Sequence, residues 1–128
     1  MPETATAPAV LVLQRNLWSQ NDRDRAHFRQ HMADRDAWIV LLRAAVLRCP
    51  VKLPRATGHR RVHIQSIRRQ LCRDDSNLRG GAKGLSDALV RVGLLRDDSD
   101  KLARITYGQE TCRGRRPQVI VTVWPEGA

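Results

Sequence analysis

The chain has 128 residues, with 23 Lys and Arg against 13 Asp and Glu, a net charge of +10 and a hydrophobic fraction of 41%. That length holds one domain with its own core, without the disulfides or metals that shorter chains need, and the apolar fraction excludes global disorder. No apolar run approaches the ~18 residues of a membrane span, and Cys49, Cys72 and Cys112 are too scattered for a disulfide framework or a zinc finger, so a cytoplasmic protein with reduced thiols is expected.

Residues 1–8 read as a loose tail before a domain over 9–128. Ala9 to Leu13 is a short branched apolar run, the pattern of a buried strand. After the polar stretch Gln14 to Asp24, the residues Trp38, Leu41, Leu42, Ala45 and Val46 repeat at three and four, which predicts a helix from about Ala33 to Arg48 with one wide buried face. Cys49-Pro50 closes it. Pro50 to His59, with Pro54 and Gly58, is a loop. Arg60 to Ile67 alternates, with Val62 and Ile64 between Arg61, His63 and Gln65, so a half-buried strand is expected with arginines on its exposed side.

Asp74 to Asn77 offers several helix N-caps, and Leu78, Ala82, Leu85, Leu89 and Val92 step by four, three, four and three toward a stop at Gly93. Gly80, Gly81 and Gly84 each cost such a helix roughly 1 kcal/mol relative to alanine, so its first turns are either irregular or pressed against something. Leu102 to Tyr107 and Val119 to Trp124 read as closing strands. The order strand, helix, strand, helix, strand, strand predicts a single α/β or α+β domain, a mixed sheet with two main helices.

Charge is unevenly placed. Six of the acids, Asp74, Asp75, Asp87, Asp97, Asp98 and Asp100, fall between residues 74 and 100, where only four basic residues accompany them. A basic surface gathers a polyanion, and a few carboxylates hold a hard cation such as Mg²⁺ against a phosphate. The combination suggests a metal-dependent nuclease. Twenty of the basic residues are arginines, which grip phosphate bidentately. Arg60 with Arg61, Arg68 with Arg69 and Arg73, and Arg113 with Arg115 and Arg116 are the candidate DNA-binding groups.

Plainer readings stand beside these. Asp74 and Asp75 can cap a helix, Asp97 and Asp98 can form a polar turn, and Asp87 can make a surface ion pair with Lys83 four residues earlier. His27 and His31 have metal-ligand spacing without a third ligand, and Trp18, Trp38 and Trp124 read as core or interface residues.

The ordered set of Asp74, Ser76, Asn77, Lys83, Asp87-Ala88-Leu89, Gly93 and Asp97-Asp98, after a basic run, resembles the RusA family of Holliday junction resolvases (crossover junction endodeoxyribonucleases), including its many phage-borne members. The resemblance covers roughly residues 68 to 124. It implies Mg²⁺-dependent (or Mn²⁺-dependent) nicking of branched DNA by a homodimer, with a phage or prophage source. Asp74, Asp75 and Asp98 are then the candidate ligands, Asp97 a further one, and Lys83 the contact to the scissile phosphate. Ser76 stands where a second metal-binding aspartate is expected, with Asp75 one place early. The interval from Asn77 to Lys83 is also about three residues longer than the pattern, close to one helical turn. The alternative is a non-catalytic protein on the same fold that holds branched or duplex DNA.

Geometry sets a condition. A helix from Leu78 to Val92 is about 22 Å long, and the extended residues from Gly93 to Asp98 reach about 20 Å. Asp98 meets Asp74 only if the chain runs back along the helix, or if ligands meet across a dimer interface.

Overall fold

The computed structural model describes residues 7–127, so most of the tail expected over residues 1–8 lies outside the described residues. Strand β1 (Ala9–Leu13) is followed by helices α1 (Gln20–Arg25) and α2 (Phe28–Arg48), strand β2 (Arg60–Arg68), helices α3 (Asp75–Gly81) and α4 (Lys83–Arg91), and strands β3 (Ala103–Thr111) and β4 (Gln118–Val123). They form one α+β domain around a mixed sheet ordered β1-β4-β2-β3. Strands β2 and β3 run parallel, and β4 is antiparallel to both β1 and β2.

Alternation decides which side of the sheet is covered. Leu11, Leu13, Val62, Ile64, Val119, Val121 and Val123 point to the buried side, where they meet Trp38, Leu42, Leu85 and Leu89 of the helices. The opposite side leaves Val10 and Val12 at 50% and 42% exposure.

Helix α1 was not legible from apolar spacing because it buries no residue. A capping box holds it instead: Asp22 N donates to Ser19 Oγ at 3.2 Å, and Ser19 N donates to Asp22 Oδ2 at 2.9 Å. Helix α2 begins five residues before the expected start at Ala33, capped by His27, whose N–H donates to Gln30 Oε1 at 2.8 Å. Its added residues include exposed Phe28 and Met32, so no apolar face announces them. It ends before Pro50, which lacks an N–H and disfavours helix at the residue ahead of it.

The second expected helix is broken at Ala82 into α3 and α4. The glycines explain the irregularity. A Cβ on Gly81 would stand 1.8 Å from the Trp18 carbonyl oxygen, and one on Gly84 would stand 2.2 Å from Asp34 Oδ2. Glycine therefore lets α3 close on Trp18, Ser19 and the start of α1, where Asn77 Oδ1 accepts from Gln20 N at 2.9 Å, and lets α4 close on α2. Helix α4 stops at Gly93, whose φ of +83° suits glycine.

Two expected surface arginines are core residues, a correction to the DNA-binding set. Arg60 is 1% exposed and donates to the carbonyls of Leu94 at 3.1 Å and Pro54 at 2.5 Å. Arg68 is 6% exposed and donates to the carbonyls of Gln70 and Leu17 and to Ser66 Oγ. Arg60 satisfies the carbonyl of buried Leu94 and Arg68 that of buried Leu17, so neither guanidinium is free for a phosphate.

Candidate functional site

The acidic residues divide between two places. Asp74 caps α3: its Oδ1 accepts from Asn77 N and from Ser76 Oγ, both at 2.8 Å. These donors hold its carboxyl below the usual aspartate range. Asp75 lies exposed in the first turn of α3.

Asp98 lies elsewhere. From Gly93 the chain does turn back along α4, started by Arg60, which fixes the Leu94 carbonyl. It brings Asp98 Oδ2 to 3.1 Å from Lys83 Nζ in the first turn of α4. Lys83 also meets Asp87 Oδ1 at 3.0 Å, the expected i, i+4 pair. The hydrogen bond to Asp87, then that to Asp98, raises the Lys83 pKa against the opposing effect of burial. The Lys83 contact in turn lowers that of Asp98. Asp97 is exposed and accepts from Asp98 N at 2.8 Å, a turn contact.

The return brings Asp98 to Lys83 at the start of α4, while Asp74 caps α3. Among the described residues no three His, Cys, Asp or Glu side chains are close enough to hold a metal ion. The implied set for Mg²⁺ or Mn²⁺, Asp74, Asp75 and Asp98 with Asp97, is therefore not gathered into a cluster of three carboxylates, and an ion held here would draw its other ligands from water or a phosphate. His31 Nε2 lies 2.8 Å from the Arg23 carbonyl oxygen, and among the described residues no third ligand joins His27 and His31.

What forms around Lys83 and Asp98 is a cleft between α3–α4 and the edge strand β3. Arg79 and Tyr107 line it, the guanidinium 5.4 Å over the phenol ring, and Arg23, His59 and Arg104 stand at its margins. Burial pushes the Tyr107 hydroxyl pKa up. Arg79 and Tyr107 are functional candidates that sequence reasoning missed. Arg79 is one of twenty arginines, and Tyr107, the only tyrosine, falls in a strand pattern, so neither stands out by type or spacing.

Of the remaining arginines, Arg61, Arg69, Arg73, Arg113, Arg115 and Arg116 are exposed as expected. Arg61 lies 4.6 Å over the Trp124 ring. Arg113 and Gly114 both have positive φ, in a tight turn closed by Arg115 N donating to the Cys112 carbonyl at 3.0 Å. All three cysteines are free and buried, and among the described residues no helix is long and apolar enough to cross a membrane. No family model matches the sequence, and no curated protein matches it either.

Proposed function

We propose that the protein binds DNA, branched DNA foremost, by gripping phosphates with an arginine surface that includes the Arg79–Lys83 cleft. One observation carries this: the positive charge is not consumed within the fold. Of the 23 basic residues, Arg15, Arg35, Arg60 and Lys83 are the ones in ion pairs among the described residues. The exposed arginines thus keep their charge for an external polyanion. The resemblance to RusA adds branched DNA and a homodimer, whose two-fold symmetry would match a four-way junction.

The Lys83–Asp98 contact favours a second reading. The resemblance to RusA implies that the phosphate-contacting lysine and a metal-binding aspartate share one site, and the 3.1 Å contact between Lys83 and Asp98 is compatible with that. That reading also needs Asp74 and Asp75 beside Asp98, and the acid whose place Ser76 holds.

The test is binding and nicking of a labelled four-way junction and a matched linear duplex, in Mg²⁺ and in EDTA, with the native chain and Asp98→Asn. The binding reading expects junction affinity that is strongly salt-dependent and equal in EDTA, without cuts. Absence of binding at low salt would sink it. Paired cuts in Mg²⁺ that Asp98→Asn abolishes, with binding retained, would establish the nuclease instead.

A further inference from the structure

The side of the sheet turned away from the helices carries a basic and aromatic row. Strands β2 and β3 set Arg61 opposite Arg104, His63 opposite Thr106 and Gln65 opposite Gly108. Trp124 follows β4 and lies under the Arg61 guanidinium at 4.6 Å. His63 is fixed at both ring nitrogens, with Nδ1 2.8 Å from Thr106 Oγ1 and Nε2 2.8 Å from Gln65 Oε1. Gly108 keeps the row flat, because a Cβ there would stand 2.1 Å from Gln65 Oε1.

We propose that the β2–β3 half of this open face binds a single strand of DNA, such as the strand left unpaired beside a branch. The inference rests on the DNA-binding reading above and adds a second surface on the open side of the sheet, which meets the Lys83 cleft at Arg104 on the edge strand. Unstacked bases pack on aromatic rings and on guanidinium planes, which the Arg61–Trp124 stack offers, and the neighbouring Arg61 and Arg104 supply phosphate donors. Charge complementarity selects this occupant. Among the outward strand residues only Glu110, at the end of β3, is acidic. A second copy of the chain laid on this face would bury Arg61 and Arg104 against valines or against each other without a carboxylate partner, a costly arrangement. A phosphodiester strand leaves no such charge unpaired.

The test measures labelled oligo(dT) and four-way junction binding across a salt series, for the full native chain, Arg61→Gln/Arg104→Gln and Trp124→Leu. The charge variant changes exposed side chains and serves even if Trp124→Leu unfolds. The proposal expects the charge variant to lower oligo(dT) affinity and to make its salt dependence shallower by about 1.4 in log–log slope, ~0.7 for each phosphate no longer neutralised. Trp124→Leu, if folded, should lose roughly tenfold for one stacked base. Oligo(dT) affinity and slope unchanged in the charge variant would overturn the proposal. So would a native dimer that Val12→Glu dissociates and the charge variant tightens, since a second copy would then cover the face. A native chain that binds the junction but not oligo(dT) refutes this surface alone, whereas one that binds neither refutes the DNA-binding reading itself.

Discussion

Lys83 Nζ lies between two carboxylates, 3.0 Å from Asp87 Oδ1 one turn along its own helix and 3.1 Å from Asp98 Oδ2, fifteen positions further along the chain. The second contact exists because Gly93 ends α4 with a positive φ and the chain doubles back. Both carboxylates compensate the lysine charge, so any phosphate reaching Lys83 would have to displace Asp98.

Titration tests that contact. The Asp98 pKa is depressed, so its contribution to stability is present above the ordinary aspartate value of 3.8 and is lost as pH falls through the depressed one. The Lys83 pKa is raised, so its contribution is complete below the ordinary lysine value of 10.5 and is lost as pH rises through the raised one. With Lys83 49% and Asp98 34% exposed, solvent screening holds the pair to about 1 kcal/mol or less. Lys83→Met should therefore cost no more than that in urea unfolding at neutral pH. It should also move the Asp98 carboxyl titration, followed by NMR, up toward 3.8. An Asp98 midpoint indifferent to the substitution would mean the two side chains do not meet in solution.

Arg60→Met removes the donors to the Leu94 and Pro54 carbonyls. The stranded Leu94 acceptor costs about 1–3 kcal/mol and the lost bond to the exposed Pro54 adds about 1 kcal/mol, so urea unfolding should show a loss of about 2–4 kcal/mol. Arg69→Met, at an exposed position, should stay within about 0.5 kcal/mol. Because the Leu94 carbonyl begins the return of the chain, Arg60→Met should also raise the Asp98 midpoint. Equal stability of the two variants would contradict the structural role of Arg60.

The strands and the long helix were legible because their signal is periodic: Ala9 to Leu13, Arg60 to Ile67 and the face from Trp38 to Val46 emerge where spacing placed them. Helix α1 was hidden because hydrogen bonds at Ser19, not apolar burial, define it. Arg60 and Arg68 misled for a related reason. Residue type marks arginine as surface, but their burial is made possible by carbonyls that only the tertiary fold supplies. At the candidate site, the i, i+4 pair of Lys83 and Asp87 follows from helical spacing alone. The reach of Asp98 to Lys83 was legible only as a condition on chain length, and the broken helix that separates Asp74 from it depends on Gly81 meeting the Trp18 backbone.

Neighbouring glycines should respond differently to alanine. On helix propensity alone each substitution gains about 1 kcal/mol. A Cβ on Gly80 meets the movable end of the Gln20 side chain, which also gives up its 2.7 Å bond to Asp24, so Gly80→Ala should be neutral within about 0.5 kcal/mol. A Cβ on Gly81 meets the Trp18 backbone at 1.8 Å, which cannot swing aside, and Gly81→Ala should cost about 2–3 kcal/mol in urea unfolding. Equal effects at both positions would show that α3 does not lie against the Trp18–Gln20 segment.

Ser76→Asp places the expected acid back beside Asp74. The serine hydroxyl now donates to Asp74 Oδ1, one of the two bonds that hold that carboxyl below its usual range. The substitution withdraws this donor and adds a like charge, and both changes favour the protonated form of Asp74. The Asp74 midpoint should therefore rise, while the backbone bond from Asn77 N keeps the cap in place. The stability supplied by that cap is present above the ordinary aspartate value and lost as pH falls through the folded one. Acid unfolding of Ser76→Asp should consequently begin at higher pH than that of the native chain, and Ser76→Ala, which removes the donor without adding charge, should fall between them. Identical acid transitions in the three proteins would show that Ser76 does not serve the cap.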